Sequence, residues 1–206
     1  MRLRRWELSL QPASAAILAG GKSKRMGNNK ALINIGINSL VETTINKIRP
    51  LFQEIILVTN NVELYDHLKI SMVSDIYKNC GPLGGIHAAL KAASCEFVFV
   101  VACDMPFIEP KLVEHILKSA NQNSDIVVPR IDEYSEPLHA LYRKGCLPVI
   151  EFCLKRGEYK STSIWPYLRV KYVEREEISR FADYMKVFYN INTPVDLNKA
   201  KKILGV

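Results

Sequence analysis

Short apolar runs, each too brief for a core helix, recur along this chain, separated by stretches whose apolar residues have helical spacing. The runs are AAILA at 15–19, EIILVT at 54–59, ISMVS at 70–74, EFVFVVA at 96–102 and DIVVP at 125–129. Candidate helices lie near 39–49, 83–94, 110–120, 145–155 and 194–204. Continuous apolar strands alternating with amphipathic helices suit a mostly parallel sheet covered on both faces, because such strands bury both sets of side chains. The expected fold class is therefore α/β, a three-layer αβα arrangement around a mostly parallel, twisted sheet. EPLHALY at 136–142 and RVKYVE at 169–174 are less hydrophobic and read as two more strands at an edge. Leu83, Ile86, Ala89, Leu90 and Ala93 give their helix one buried face. Thr193-Pro194 supplies an N-cap and a first-turn proline for the last helix. One α/β domain over residues 14–206 accounts for the chain, with 130–175 open to forming a second lobe and 1–13 a loose extension.

With 206 residues, 48% hydrophobic and 24% charged, the chain has the composition of an ordinary globular domain. Its longest apolar run, FVFVVAC at 97–103, falls far short of the roughly 20 residues that span a bilayer, so no membrane segment is expected. The N-terminal MRLRRWELSLQPA begins like a signal peptide, but Glu7 and Gln11 interrupt what would be its apolar core. Cys80, Cys95, Cys103, Cys146 and Cys153 are odd in number and form no Cys-x-x-Cys pair. They read as reduced packing residues of a cytoplasmic protein, too dispersed for zinc. The net charge is +7, and +5 remains once the three Arg and one Glu of residues 1–13 are removed. Without a clustered Lys/Arg stripe and interleaved aromatics, nucleic acid is not an expected partner.

LAGGKSKRMGNNK at 18–30 follows the first run directly. Its Gly21-Lys22-Ser23 looks like the end of a P-loop, but the glycine required five positions earlier is Ala16, and the spacing excludes that motif. What remains is a Gly20-Gly21 turn carrying Lys22, Lys24, Arg25 and Lys30, suited to an anion approached by backbone. Open parallel sheets bind ligands outside the carboxyl ends of their strands. The same rule selects Asp75 after the third run and Asp104 after the fourth. Asp104 lies too far from the helix near Glu109 to cap it, and a lone carboxylate opposite a phosphate-binding loop suits magnesium. Asp75 could equally close an Asx-turn, and GPLGG at 81–85 suits contact with a base or phosphate. His67, His87 and His115 are scattered, whereas His139 is placed on the acceptor side of the crevice. The lack of an obvious general base fits a nucleophile that is already ionised, such as a phosphate.

Taken in order, LAGGKSKRMGNNKALI, CGPLGG, ACDMPF, EPLHALY and NINTPVDL resemble the molybdenum cofactor guanylyltransferases over residues 14–206. The pattern at 18–30 is similar to that of nucleotidyltransferases more widely, sugar-phosphate and cytidylyl enzymes included. The resemblance implies a Rossmann-like nucleotide-diphospho-sugar transferase fold, GTP as co-substrate, Mg²⁺ as cofactor and molybdopterin as acceptor. It also implies transient contacts with other cofactor-biosynthesis proteins and molybdoenzymes. Residues 14–129 would form the nucleotide-binding part and 130–206 the acceptor-binding part. By this likeness Leu18, Ala19, Gly20 and Gly21 line the nucleotide, Asp75 contacts it, Asp104 holds the metal, and Arg25, Lys30 and Asp104 are catalytic. Lys30 reads as an exposed loop lysine with little part in stability. Gly20 stands where cytidylyl relatives usually have Ala, which leaves room for a purine. A CTP-dependent molybdopterin cytidylyltransferase or a sugar-phosphate nucleotidyltransferase is the alternative. Two departures are Asn29 for the usual Asp and Ala102 for a frequent Pro.

Overall fold

The computed structural model describes residues 12–20 and 30–206. Its strands are β1 (Ala13–Leu18), β2 (Asn34–Ile35), β3 (Asn38–Ser39), β4 (Ile55–Val58), β5 (Ser71–Val73), β6 (Phe97–Ala102), β7 (Ile126–Ile131), β8 (Tyr134–Ser135), β9 (His139–Arg143) and β10 (Val170–Glu174). The helices are α1 (Leu40–Ile48), α2 (Gly81–Ala92), α3 (Pro110–Ser119), α4 (Leu147–Lys155), α5 (Arg175–Ile178), α6 (Tyr184–Val187) and α7 (Pro194–Leu204). Each of the seven apolar runs has become a strand of one eight-stranded sheet, in the order β10-β7-β9-β6-β1-β4-β5 with β8 on β7.

Both faces of this sheet are covered, as the unbroken apolar runs require. Ile17, Leu57, Phe99 and Val101 pack with Ile45 of α1 and Leu112 and Ile116 of α3 on one face. Ala16, Ile56, Val98 and Val100 pack with Leu83, Ile86 and Leu90 of α2 and Ile150 of α4 on the other. The expected single buried face of α2 proves too narrow, since residues 83–90 are all buried. The second layer around α2 comes from α4, whose Glu151 meets the His87 ring at 3.1 Å. Capping is local and encoded: Ser39 and Glu42 close a reciprocal box on α1, and Thr193 and Asp196 close another on α7.

Two expectations about the later strands need correction. β10 does lie at the edge, but β9 is interior, antiparallel to both β6 and β7. Its residues His139 to Tyr142 are all buried, and the polar look of EPLHALY comes from the residues that precede the strand. Consequently 130–175 extends the same sheet instead of standing over it. His139 is likewise not on a crevice. Opposite Val101 in the ladder, it is fully buried between the rings of Phe99 and Phe188, at centroid distances of 5.2 and 5.3 Å.

Neither ring nitrogen of His139 has a hydrogen-bond partner among the described residues. Burial pushes the imidazole down from 6.5 to about 3, so it is neutral in the folded protein. Below pH 6.5 the unfolded chain takes up a proton that the folded chain refuses until about 3, so stability is full above that window and lost as pH falls through it. In equilibrium unfolding the histidine alone should remove about 2 to 3 kcal/mol on going from neutral to roughly pH 4.5. His139→Leu should flatten that acid limb while holding neutral stability, and an unchanged limb would show that the imidazole titrates normally.

Candidate active site

The carboxyl ends of four parallel strands are level. Leu18 is opposite both Val58 and Ala102, and Val58 is opposite Val73. The backbone beyond stays zipped, with Ala19 N–H donating to Val58 O at 3.0 Å and Cys103 N–H to Leu18 O at 3.2 Å. The segments at 19–20, 59–60, 74–75 and 103–104 therefore emerge along one rim. Leu18 and Ala19 are buried there, and Gly20 is exposed. Gly21 and Arg25, together with Lys22 and Lys24, lie outside the described residues.

Asp75 is held in a reciprocal clamp. Asn60 Nδ2 donates to its Oδ2 at 2.8 Å, and the Asp75 N–H donates back to Asn60 Oδ1 at 3.2 Å. The first turns of α2 press on this corner: a Cβ on Gly85 would lie 3.3 Å from Leu18 Cδ1 and 3.8 Å from Asp75 Oδ1. Leu18, Asp75 and Gly85 thus share one wall. The strand-end rule, applied to the second run as well, would have found Asn60.

Asp104 forms the other half of the rim. Its Oδ2 accepts from Lys30 Nζ at 2.7 Å, and the same ammonium donates to Asn192 Oδ1 at 2.9 Å. The main chain repeats the link, since Ile191 N–H donates to Asp104 O at 3.0 Å. Asn192 is fixed by the α7 cap, where Asp196 Oδ2 accepts from its N–H at 3.0 Å. Lys30 differs here from its expected exposure: its side chain is only 14% accessible and bridges two distant segments.

Asp104 Oδ1 is buried and has no hydrogen-bond partner among the described residues. Ala102 N–H still bonds Leu138 O at 3.0 Å, continuing the β6–β9 ladder, and two residues further on each side bring Glu136 beside Asp104. Burial first, and the Asp104 charge second, push the Glu136 carboxyl up to about 7. Of the EPLHALY segment it is this residue, not His139, that belongs to the rim. Cys103 is no nucleophile, because burial and the neighbouring Asp104 push its thiol up to about 12. Among the described residues no three His, Cys, Asp or Glu gather around a common point.

The doubly covered sheet with a cationic and carboxylate rim defines a nucleotidyltransferase of the nucleotide-diphospho-sugar transferase fold. In solved structures the frame is shared with 4-diphosphocytidyl-2C-methyl-D-erythritol synthase from Anaerococcus prevotii, at a TM-score of 0.70, 19% identity and coverage of 95% and 97% of the two chains. It matches molybdopterin-guanine dinucleotide biosynthesis protein A from Archaeoglobus fulgidus more closely, at a TM-score of 0.82, 31% identity and coverage of 93% and 98%. A relative described as a probable molybdenum cofactor guanylyltransferase, from Pelotomaculum thermopropionicum, is 39% identical over 92% of both chains. Residues 15–169 match the model of the MobA-like NTP transferase domain, and the chain belongs to that family.

The Lys30–Asp104–Asn192 bridge generates a stability prediction. Removing the cation leaves Asp104 beside Glu136 without the ion pair that Lys30 supplies. Lys30→Ala is expected to lower the unfolding free energy by about 1 to 3 kcal/mol, between the values for exposed and buried pairs. Urea denaturation with an unchanged m-value measures it, and wild-type stability would contradict the bridge.

Proposed function

We propose that the protein transfers GMP from GTP to the terminal phosphate of molybdopterin, forming the guanine dinucleotide cofactor and releasing pyrophosphate. The observation that carries this reading is the convergence of Lys30, Asp104 and Glu136 at the rim where Gly20 and the Leu18–Asp75–Gly85 wall emerge. The descriptions of the relatives support guanylyl over cytidylyl transfer. Five free thiols fit a reducing compartment, and we place the protein in the cytoplasm. Among the described residues no helix is long and apolar enough to cross a membrane.

In the reaction an acceptor phosphate oxygen bonds to the α-phosphorus, the bond from that phosphorus to the bridging oxygen breaks, and pyrophosphate leaves with the electron pair. The nucleophile is already ionised, so the protein need only align the reactants and stabilise charge. Lys30 supplies that charge, and Asn192 keeps its ammonium at the rim when Asp104 turns to other partners. Arg25 and Gly21 keep the phosphate and nucleotide roles that their sequence positions imply. Asp75, steadied by Asn60, faces the nucleotide beside Leu18. At Gly20 an added Cβ would meet nothing within 4 Å among the described residues, and we read that space as open to a ligand. In this scheme the nucleotide-binding part, 14–129, supplies Lys30, Asp75 and Asp104, and the acceptor-binding part, 130–206, supplies Glu136 and Asn192.

The residues fit a divalent cation. Asp104 presents a buried oxygen with no hydrogen-bond partner among the described residues, and Glu136 is a second carboxyl close to it. Magnesium takes one or two carboxylates with phosphate oxygens and water, and when bound it would neutralise charge on the departing pyrophosphate. Asp104 would hold it, with Glu136 beside it.

Incubation with α-labelled GTP, Mg²⁺ and molybdopterin should move label into the dinucleotide with release of pyrophosphate. Lys30→Ala should retain the fold yet lose about 10²–10³ in turnover. Gly20→Ala should leave Tm unchanged and reduce the preference for GTP over CTP. Transfer from CTP but not GTP by the wild-type protein would overturn the guanylyl assignment.

A further inference from the structure

The Lys30 ammonium and a divalent cation compete for one carboxylate. Asp104 Oδ2 accepts from Lys30 Nζ at 2.7 Å, a separation that puts the ammonium where a metal on the same oxygen would stand. Asp104 Oδ1 is buried and has no hydrogen-bond partner among the described residues. A divalent ion on either oxygen would therefore lie close to the ammonium, and like charges at short range repel. The Lys30 and Asp104 side chains are only 14% and 23% accessible, so solvent screens that repulsion poorly.

The two partners differ in their freedom to move. Asp104 is pinned through the backbone: its carbonyl accepts from Ile191 N–H at 3.0 Å, and the adjacent Cys103 N–H donates to Leu18 O at 3.2 Å. Lys30 opens the short helical turn Lys30–Leu32 and reaches Asp104 through a flexible four-carbon stem. Its ammonium has three donors, and Asp104 and Asn192 take two of them among the described residues. Asn192 Oδ1 is a neutral acceptor at 2.9 Å on a residue that Asp196 fixes, so the ammonium keeps one hold when the ion pair opens. Opening the pair takes the Lys30 charge away from Asp104 while Glu136 stays beside it, which favours another cation in its place.

We infer that Lys30 is an internal stand-in for the divalent cation, holding Asp104 until the phosphates of a nucleotide draw the ammonium away and leave the carboxylate to the metal. Metal and nucleotide are thereby loaded together, and each raises the affinity for the other by the same factor. Before nucleotide arrives, Lys30 keeps free metal ions off Asp104. The inference rests on the nucleotidyl-transfer reading for the two ligands and is indifferent to which base the nucleotide carries.

The test titrates Mn²⁺, followed by its electron paramagnetic resonance signal, into nucleotide-free wild type, Lys30→Met, Lys30→Arg and the double variant Lys30→Met with Asp104→Asn. Lys30→Met should bind Mn²⁺ at least tenfold more tightly than wild type, Lys30→Arg should stay near wild type, and the double variant should lose the gain. GTP should strengthen Mn²⁺ binding by a larger factor in wild type than in Lys30→Met. Mn²⁺ alone should raise the Tm of Lys30→Met by more than that of wild type, a readout that a weakly folded variant still gives. Mn²⁺ affinity in Lys30→Met within twofold of wild type, or a gain that survives Asp104→Asn, overturns the exchange. Wild type that transfers GMP while Lys30→Met shows no gain upholds the reaction and refutes the exchange. A gain in Lys30→Met with no GMP transfer by wild type upholds the exchange and refutes the reaction.

Discussion

Everything at the rim depends on the level register of β1 with its two neighbours. Leu18 faces Val58 on one side and Ala102 on the other, and the backbone bonds of Ala19 and Cys103 carry that alignment just past the strands. A slip of one residue in either ladder would exchange the side chains packed against the two helical layers and part Asp104 from Lys30. Fixing these strands needs no functional residue at all. It follows from Ala15, Ile17, Val98 and Val100, which are fully buried and cannot exchange faces.

On that frame the charges form a small, unbalanced set. Asp104 and Glu136 come together beyond the ends of two antiparallel strands, and the Lys30 ammonium pairs with Asp104. A second segment of the chain is recruited to hold that ammonium, through Asn192 and the α7 cap. Among the described residues this arrangement is poorly satisfied, with a raised Glu136 and an Asp104 oxygen that has no partner there. Buried polar groups left unpaired are unfavourable, and a ligand that brings its own cation and phosphates relieves both deficits.

Much of this was legible in the sequence, and the failures have physical causes. The five runs from 15–19 to 125–129 became strands within about two residues of the expected bounds, because a strand buried on both faces must be apolar throughout. Asp75 and Asp104 were legible through the strand-end rule, whereas an apolar run carries no sign of direction. β9 therefore escaped as an interior antiparallel strand, and with it the fact that Glu136 enters the rim ahead of its strand while His139 is sealed in the core. Lys30 misled for a different reason. A lysine in a Gly-rich, charged stretch looks exposed, and only the distant partners Asp104 and Asn192 make it a bridge.

The central claim is that this rim selects a guanine nucleotide with the help of a divalent cation. Calorimetric titration of GTP, CTP, ATP and UTP into the full chain, with and without Mg²⁺, tests it most directly. The account predicts that GTP binds most tightly and that Mg²⁺ strengthens it. Preference for CTP, or binding indifferent to both base and Mg²⁺, would contradict it.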